Sequence, residues 1–298
     1  MSIVRDAVAA ATLSGLVVLA AVVAALVAPA PGEAATGAAS AEAGRWAPVG
    51  RATITPGVQM YTAGAQCTAN FVFTDARDRV YVGYAAHCAG LGEATDTNGC
   101  EAGSLPLGTP VRFARGGTLA GAGETLGRGR LAYSSWLTMG ERGTTAANPC
   151  AANDFALVRV GTAHERKVNP SVPFFGGPVG RGGVPAAGAT LVSYGSSSAR
   201  PSAVLSPKVG ASLGSTHGGW GFDAYTLTPG IPGDSGSGLM DGRGRAVGTL
   251  STVALAPLPA SNGVGSLARE LDFAQRTSRI PGLRLVPGTE PFRATPLG

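Results

Sequence analysis

Glycine and proline interrupt this chain so often that few helices of ordinary length fit between them. There are 46 glycines and 21 prolines in 298 residues. The intervening runs are short and rich in Val, Thr, Tyr and Phe, residues that suit a pleated, half-buried surface. Charged residues make up only 14% of the chain, which leaves little material for long solvated helices. Many short strands separated by turns predict an all-β fold, a barrel or a sandwich. The length permits one or two domains.

The strand candidates are 66–74 and 79–86, joined by a turn at Asp75-Ala76-Arg77-Asp78, then 109–114 and 130–139, separated by the Gly-rich run 116–129. Asn153-Asp154 leads into an apolar strand ending at Val160. The Pro- and Gly-rich stretch 161–188 reads as a crossing between domains, after which strands resume at 189–194, 203–213, 220–227, 238–240, 245–255 and 263–268. Only 269–278 reads as a helix, with Leu271, Phe273 and Ala274 on its apolar side. From Ile280 onward repeated Pro and Gly predict a loose tail.

At the amino end, Arg5 precedes an apolar run over 7–28, and small residues with Pro29, Pro31 and Gly32 follow. This pattern predicts an export signal cut after Ala34, or a retained membrane anchor. Either places the body of the chain outside the cytoplasm, secreted or at the cell surface. The expected organisation is 1–34 signal or anchor, 35–56 linker, 57–165 and 166–280 two β units, and 281–298 tail.

The formal net charge of +5 comes from scattered arginines with no basic cluster, which argues against a nucleic-acid partner. Cys67, Cys88, Cys100 and Cys150 form an even set, and in an exported chain that predicts two disulfides. The residues alone leave three pairings open. No Cys-x-x-Cys pair is present, so no metal site is expected.

The chemistry concentrates in Gly230-Ile231-Pro232-Gly233-Asp234-Ser235-Gly236-Ser237-Gly238. Small, flexible neighbours would expose the Ser235 hydroxyl beside two backbone donors, the N–H groups of Gly233 and Ser235, suited to a developing oxyanion. A serine needs a base, and a base needs an orienting group. Of three histidines, His164 lies in a charged connection and His217 in a Gly-rich turn, whereas His87 ends a strand beside a cysteine. Asp154, at the start of its apolar strand, can supply the carboxylate.

Ala85-Ala86-His87-Cys88, Asn153-Asp154-Phe155-Ala156-Leu157-Val158 and Gly233-Asp234-Ser235-Gly236 occur in the order His, Asp, Ser. This resembles the trypsin/chymotrypsin-like serine proteases, closest to their exported bacterial members, over roughly 57–278. The resemblance implies two antiparallel β-barrels of the chymotrypsin-like type with a short C-terminal helix. It implies that His87 is the general base, Asp154 its partner and Ser235 the nucleophile, with an oxyanion hole at Gly233 and Ser235. It further implies a Cys67–Cys88 disulfide, hence Cys100–Cys150, and a supporting role for Ser251 next to Asp154. Pro229, where trypsin-like members place an acidic residue, together with Ser251 and Val253 would shape a substrate pocket for small or medium apolar side chains rather than Lys or Arg.

The implied activity is endopeptidase cleavage of protein or peptide through an acyl-enzyme, with no cofactor, by a monomer, tethered to a membrane if 7–28 is retained. The alternatives are a non-catalytic surface or binding protein on the same scaffold, and an esterase. No Ile-Val-Gly-Gly-like activation site is present. Asp234 therefore needs a partner, either a new amino terminus or an internal arginine.

Overall fold

The computed structural model describes residues 44–92, 97–200, 202–254 and 258–294. The expected signal or anchor and the first part of the linker lie outside the described residues. Among the described residues no helix is long and apolar enough to cross a membrane.

The first sheet is built from β1 (Gln59–Thr62), β2 (Ala65–Thr68), β3 (Val72–Thr74), β4 (Val80–Tyr84), β5 (Pro110–Arg115), β6 (Glu124–Ser134) and β7 (Ala156–Val160). They hydrogen-bond in the order β3-β4-β7-β6-β5-β1-β2, all antiparallel. The two ends of this order are successive parts of one bent strand. The Ala69 N–H still reaches Val58 O at 2.9 Å, on the β1 side, and the next residue, Asn70, donates to Gly83 O of β4 at 2.8 Å. The sheet thereby closes into a barrel.

Two short helices lie between β6 and β7: α1 (Ser135–Glu141) and α2 (Ala147–Ala152). The second sheet comprises β8 (Gly180–Arg181), β9 (Thr190–Tyr194), β10 (Pro207–Thr216), β11 (Gly221–Thr226), β12 (Gly238–Asp241), β13 (Arg245–Ala254) and β14 (Ser261–Ser266). Its order is β12-β9-β10-β11-β14-β13, and β13 pairs back onto β12, so this sheet closes as well, with β8 added at its rim. The chain ends with α3 (Leu267–Thr277) and β15 (Arg284–Leu285), which pairs with β3.

Alternation along the strands explains why several are apolar on both faces. In β4, Val80, Val82 and Tyr84 point into the first barrel's core, while Tyr81 packs outward into a second cluster. In β7, Ala156 and Val158 face inward and Leu157 outward. The outward cluster is the seam of the molecule. It joins Phe71, Phe73 and Phe155 of the first sheet region to Val192 and Met240 of the second. Leu267, Leu271 and Ala274 of α3 cap it at helical spacing. Leu191, Phe222, Leu239, Val247 and Val264 fill the second barrel.

Five expectations are corrected. The strand expected over 130–139 stops at Ser134, whose hydroxyl accepts the Leu137 N–H at 3.3 Å and caps α1. A β-like composition is overridden there by a local cap. Helices α1 and α2 also overturn the expectation that only 269–278 is helical. The strand expected at 203–213 starts only at Pro207, after a 3₁₀ turn at Ala203–Leu205.

The remaining two corrections share a cause, long-range apolar burial: Trp46 and Val286 join the first barrel's core, and Leu283 joins the seam. Linker residues Trp46 and Ala47 are buried, with Ala47 N donating to Val168 O at 2.9 Å. The tail, expected to be loose, buries Leu283 and Val286 and pairs through β15. Leu283→Ala should therefore destabilise the protein by about 2–4 kcal/mol. Urea unfolding checks this, and an unchanged midpoint would mean that the tail does not dock.

Candidate active site

The chain turns out of β4 into a 3₁₀ turn at Ala86–Ala89, which carries His87 and Cys88. A Cys67–Cys88 disulfide ties this turn to β2, and Cys100–Cys150 ties the following connection to α2, just ahead of Asp154. Asp154 is buried where the chain enters β7. Its Oδ2 lies 2.6 Å from His87 Nδ1 and accepts the Ser251 hydroxyl at 2.5 Å, while Oδ1 accepts the His87 backbone N–H at 2.8 Å. Held on three sides, the carboxylate fixes which imidazole nitrogen faces it.

Burial opposes charge on both partners, and each partner's charge outweighs it on the other. Burial alone would lower the His87 pKa, but the Asp154 carboxylate raises it on balance. Burial alone would raise the Asp154 pKa, but His87 and the Ser251 hydroxyl hold it below the ordinary carboxylate value.

Ser235 stands in the turn before β12 and lines the same cleft as His87 and Asp154. The cleft, about 560 Å³, is also lined by Gln66, Trp136, Ile231, Pro232, Gly233 and Ser251 to Val253. The turn needs glycine at two places. Gly233 has φ +95°, and Gly236 has φ +88° with space for no side chain: a Cβ there would lie 2.6 Å from Thr68 O and 2.8 Å from Ala85 N. The first barrel grips the turn directly. Thr68 N donates to Ser235 O at 2.8 Å, and Thr68 Oγ1 and Gln66 Nε2 both donate to Gly233 O, at 2.7 and 3.0 Å. The Pro232 carbonyl accepts the Ser197 hydroxyl at 2.5 Å, which fixes the peptide plane whose other end is the Gly233 N–H. Among the described residues, neither the Gly233 N–H nor the Ser235 N–H donates to a protein group.

Asp234 is fully buried and points away from the cleft lining. Its Oδ2 accepts Arg200 Nη2, the Ile231 N–H at 3.1 Å and Lys208 Nζ at 2.9 Å, and its Oδ1 accepts the Ser197 N–H at 3.0 Å. The question left open by the sequence is thus answered by two internal cations. Lys208 is itself fully buried; burial depresses its pKa, Asp234 counters this, and Arg200 adds to the depression.

Of the residues expected at a substrate pocket, Ser251 and Val253 line the cleft. Pro229 does not; its carbonyl accepts Lys208 Nζ at 3.1 Å. His164 and His217 lie in 3₁₀ turns outside the cleft lining. Cys67, His87 and Cys88 come together, but the disulfide leaves no thiolate for a metal.

The sequence reading missed Gln66, Lys208, Asn262 and Glu270. A lysine inside a strand and a glutamate on the apolar face of a helix are unusual, and that is the signal by which Lys208 and Glu270 could have been found.

The fold is of the chymotrypsin-like type. Among solved structures the chain is similar to the Nocardiopsis protease NAPase, with 18% identity, 78% of this chain and 98% of that one covered and a TM-score of 0.45. It is also similar to Thermobifida fusca protease A, with 15% identity, 79% and 100% covered and a TM-score of 0.46. A third is a glutamic acid specific serine protease, with 16% identity, 78% and 100% covered and a TM-score of 0.48. No protein-family model and no curated protein sequence matches the chain.

Asp234→Asn would leave Arg200 and Lys208 buried without their carboxylate. It should cost about 3–5 kcal/mol in urea unfolding. Asp78→Asn, which removes the solvated partner of Arg45 and Arg284, should change stability little.

Proposed function

We propose that this chain is an exported serine endopeptidase that hydrolyses peptide bonds through an acyl-enzyme. The observation that carries the reading is the His87–Asp154–Ser251 hydrogen-bond chain, which shares one cleft with Ser235 and two unengaged backbone N–H groups. Ser235 Oγ attacks the carbonyl carbon, and His87 Nε2 takes the hydroxyl proton. Asp154 steadies the imidazolium so formed. The carbonyl oxygen becomes an oxyanion and is received by the N–H groups of Gly233 and Ser235. A positioned donor of this kind contributes roughly 10²–10³ in rate. Collapse expels the amine, which leaves with the proton from His87. Water then attacks the acyl group, giving its proton to His87, and the acid departs as Ser235 is restored.

The two internal cations on Asp234 support a site assembled without a new amino terminus. Two disulfides suit an oxidising compartment, which supports export. For the residue at the cleaved bond we favour small or medium apolar side chains. Outside the cleft lining, buried beside Thr252, Asn262 Oδ1 accepts the Gly230 N–H at 2.9 Å, and its Nδ2 donates to Gly230 O at 3.3 Å and Thr252 O at 3.1 Å. This leaves its amide no free donor for a substrate group.

Digestion of casein and of peptides varied only at the cleaved position tests the reading. Wild type should cut internal bonds after small apolar residues, and Ser235→Ala should be slower by at least about 10⁴-fold. No cleavage by wild type would favour a non-catalytic binding protein, and a strong preference for Arg or Lys would overturn the specificity.

A further inference from the structure

Glu270 is fully buried in the first turn of α3 and lies outside the cleft lining. Its Oε1 accepts the Asp154 backbone N–H at 3.3 Å, and its Oε2 accepts the Thr249 hydroxyl at 2.8 Å. Thr249 in turn accepts Asn70 Nδ2 at 3.3 Å. Asn70 sits at the bend where β2 becomes β3, two residues beyond the Thr68 that grips Ser235 O. The hydrogen bonds therefore run Asn70, Thr249, Glu270, Asp154, crossing the seam between the barrels twice.

The neighbouring strand makes room for this carboxyl. A Cβ on Gly265 of β14 would lie 2.1 Å from Glu270 Oε1 and 2.9 Å from Ala152 O, so any side chain there would displace one or the other. Oε1 and Oε2 each receive a donor, an arrangement that suits a carboxylate. Burial opposes that charge most, and the Asp154 carboxylate opposes it further. The balance pushes the Glu270 pKa up to about 8. The other titratable groups near it are Tyr133 of β6, on which Arg276 of α3 also acts, and His87, through Asp154.

We propose that Glu270 is a positioning residue for the reaction proposed above: it fixes the main chain at Asp154, and so the carboxylate on which His87 is oriented. It never touches substrate. Because it stands next to Asp154, its ionisation adds a second negative charge near the imidazole, and His87 holds its proton to higher pH while Glu270 can ionise. The inference rests on the proposed His87–Asp154–Ser235 roles.

The test compares wild type with Glu270→Gln and Glu270→Ala in the full chain. Glu270→Gln keeps an oxygen for the Asp154 N–H. It should hold kcat within about tenfold of wild type, while an inflection near pH 8 in the wild-type kcat/KM profile disappears. Glu270→Ala releases the main chain and should lower kcat by on the order of a hundredfold with KM little changed. A second readout needs no catalysis. In a Ser235→Ala background, the His87 ring resonances in an NMR titration should show a second step near pH 8, where Glu270 ionises, and lose it when Glu270→Gln is added.

A glutamate that only supports the fold would lower the yield of folded protein and leave both the profile and the titration in place. Superimposable His87 titrations, or a Glu270→Ala variant with wild-type kcat, would overturn the proposal. If Glu270→Ala does not fold, the isosteric Glu270→Gln decides alone. If wild type cleaves nothing, the endopeptidase reading fails, while the His87 titration still tests the coupling.

Discussion

The grip of β2 on the Ser235 turn is the interaction on which the site's geometry depends. His87 and Asp154 belong to the first barrel and Ser235 to the second, so no local sequence can set their relative positions. Three hydrogen bonds do so across the seam: Thr68 N to Ser235 O, and Thr68 Oγ1 and Gln66 Nε2 to Gly233 O. The approach is close enough that Gly236 has no space for a side chain. The same bent strand closes the first barrel and carries one end of the Cys67–Cys88 disulfide, whose other end adjoins His87. Barrel closure, imidazole placement and the Ser235 turn are therefore fixed by one segment of about ten residues, 65–74.

Electrostatics divides the site into two layers. In the cleft, His87 and Asp154 each shift the other's pKa against the pull of burial. Beneath it, Asp234 binds Arg200 and Lys208 and keeps the 231–235 backbone in its turn through the Ile231 N–H. A buried ion pair of this kind adds little net stability compared with an apolar core, because desolvation offsets the attraction. What it supplies is a unique conformation for the peptide that presents the Gly233 N–H, backed by the Ser197 hydroxyl on Pro232 O.

Much of this was legible in the sequence, for identifiable reasons. Strand alternation shows through β4 and β7, although both faces are apolar, because the strands are short and bounded by turn residues. The positions of His87, Asp154 and Ser235 carried recognisable neighbours. What the sequence did not disclose depends on burial against distant parts of the chain, in the first barrel's core for Trp46 and at the seam for Leu283. Trp46 and Leu283 read as linker and tail, since nothing local says that an apolar surface awaits them. Helix α1 hid behind β-forming residues and is set by a single Ser134 cap. The partners of Asp234 and the burial of Glu270 are long-range contacts, invisible to periodicity.

The central claim is that His87 activates Ser235 in the cleft between the barrels. The most direct measurement is the rate of covalent labelling by a fluorophosphonate as a function of pH, with the modified residue mapped by mass spectrometry. The account predicts one adduct, on Ser235, with a rate that rises through a pKa above the ordinary imidazole value of about 6.5 and is lost in His87→Ala. A label on another residue, or a rate indifferent to pH and to His87, would contradict it.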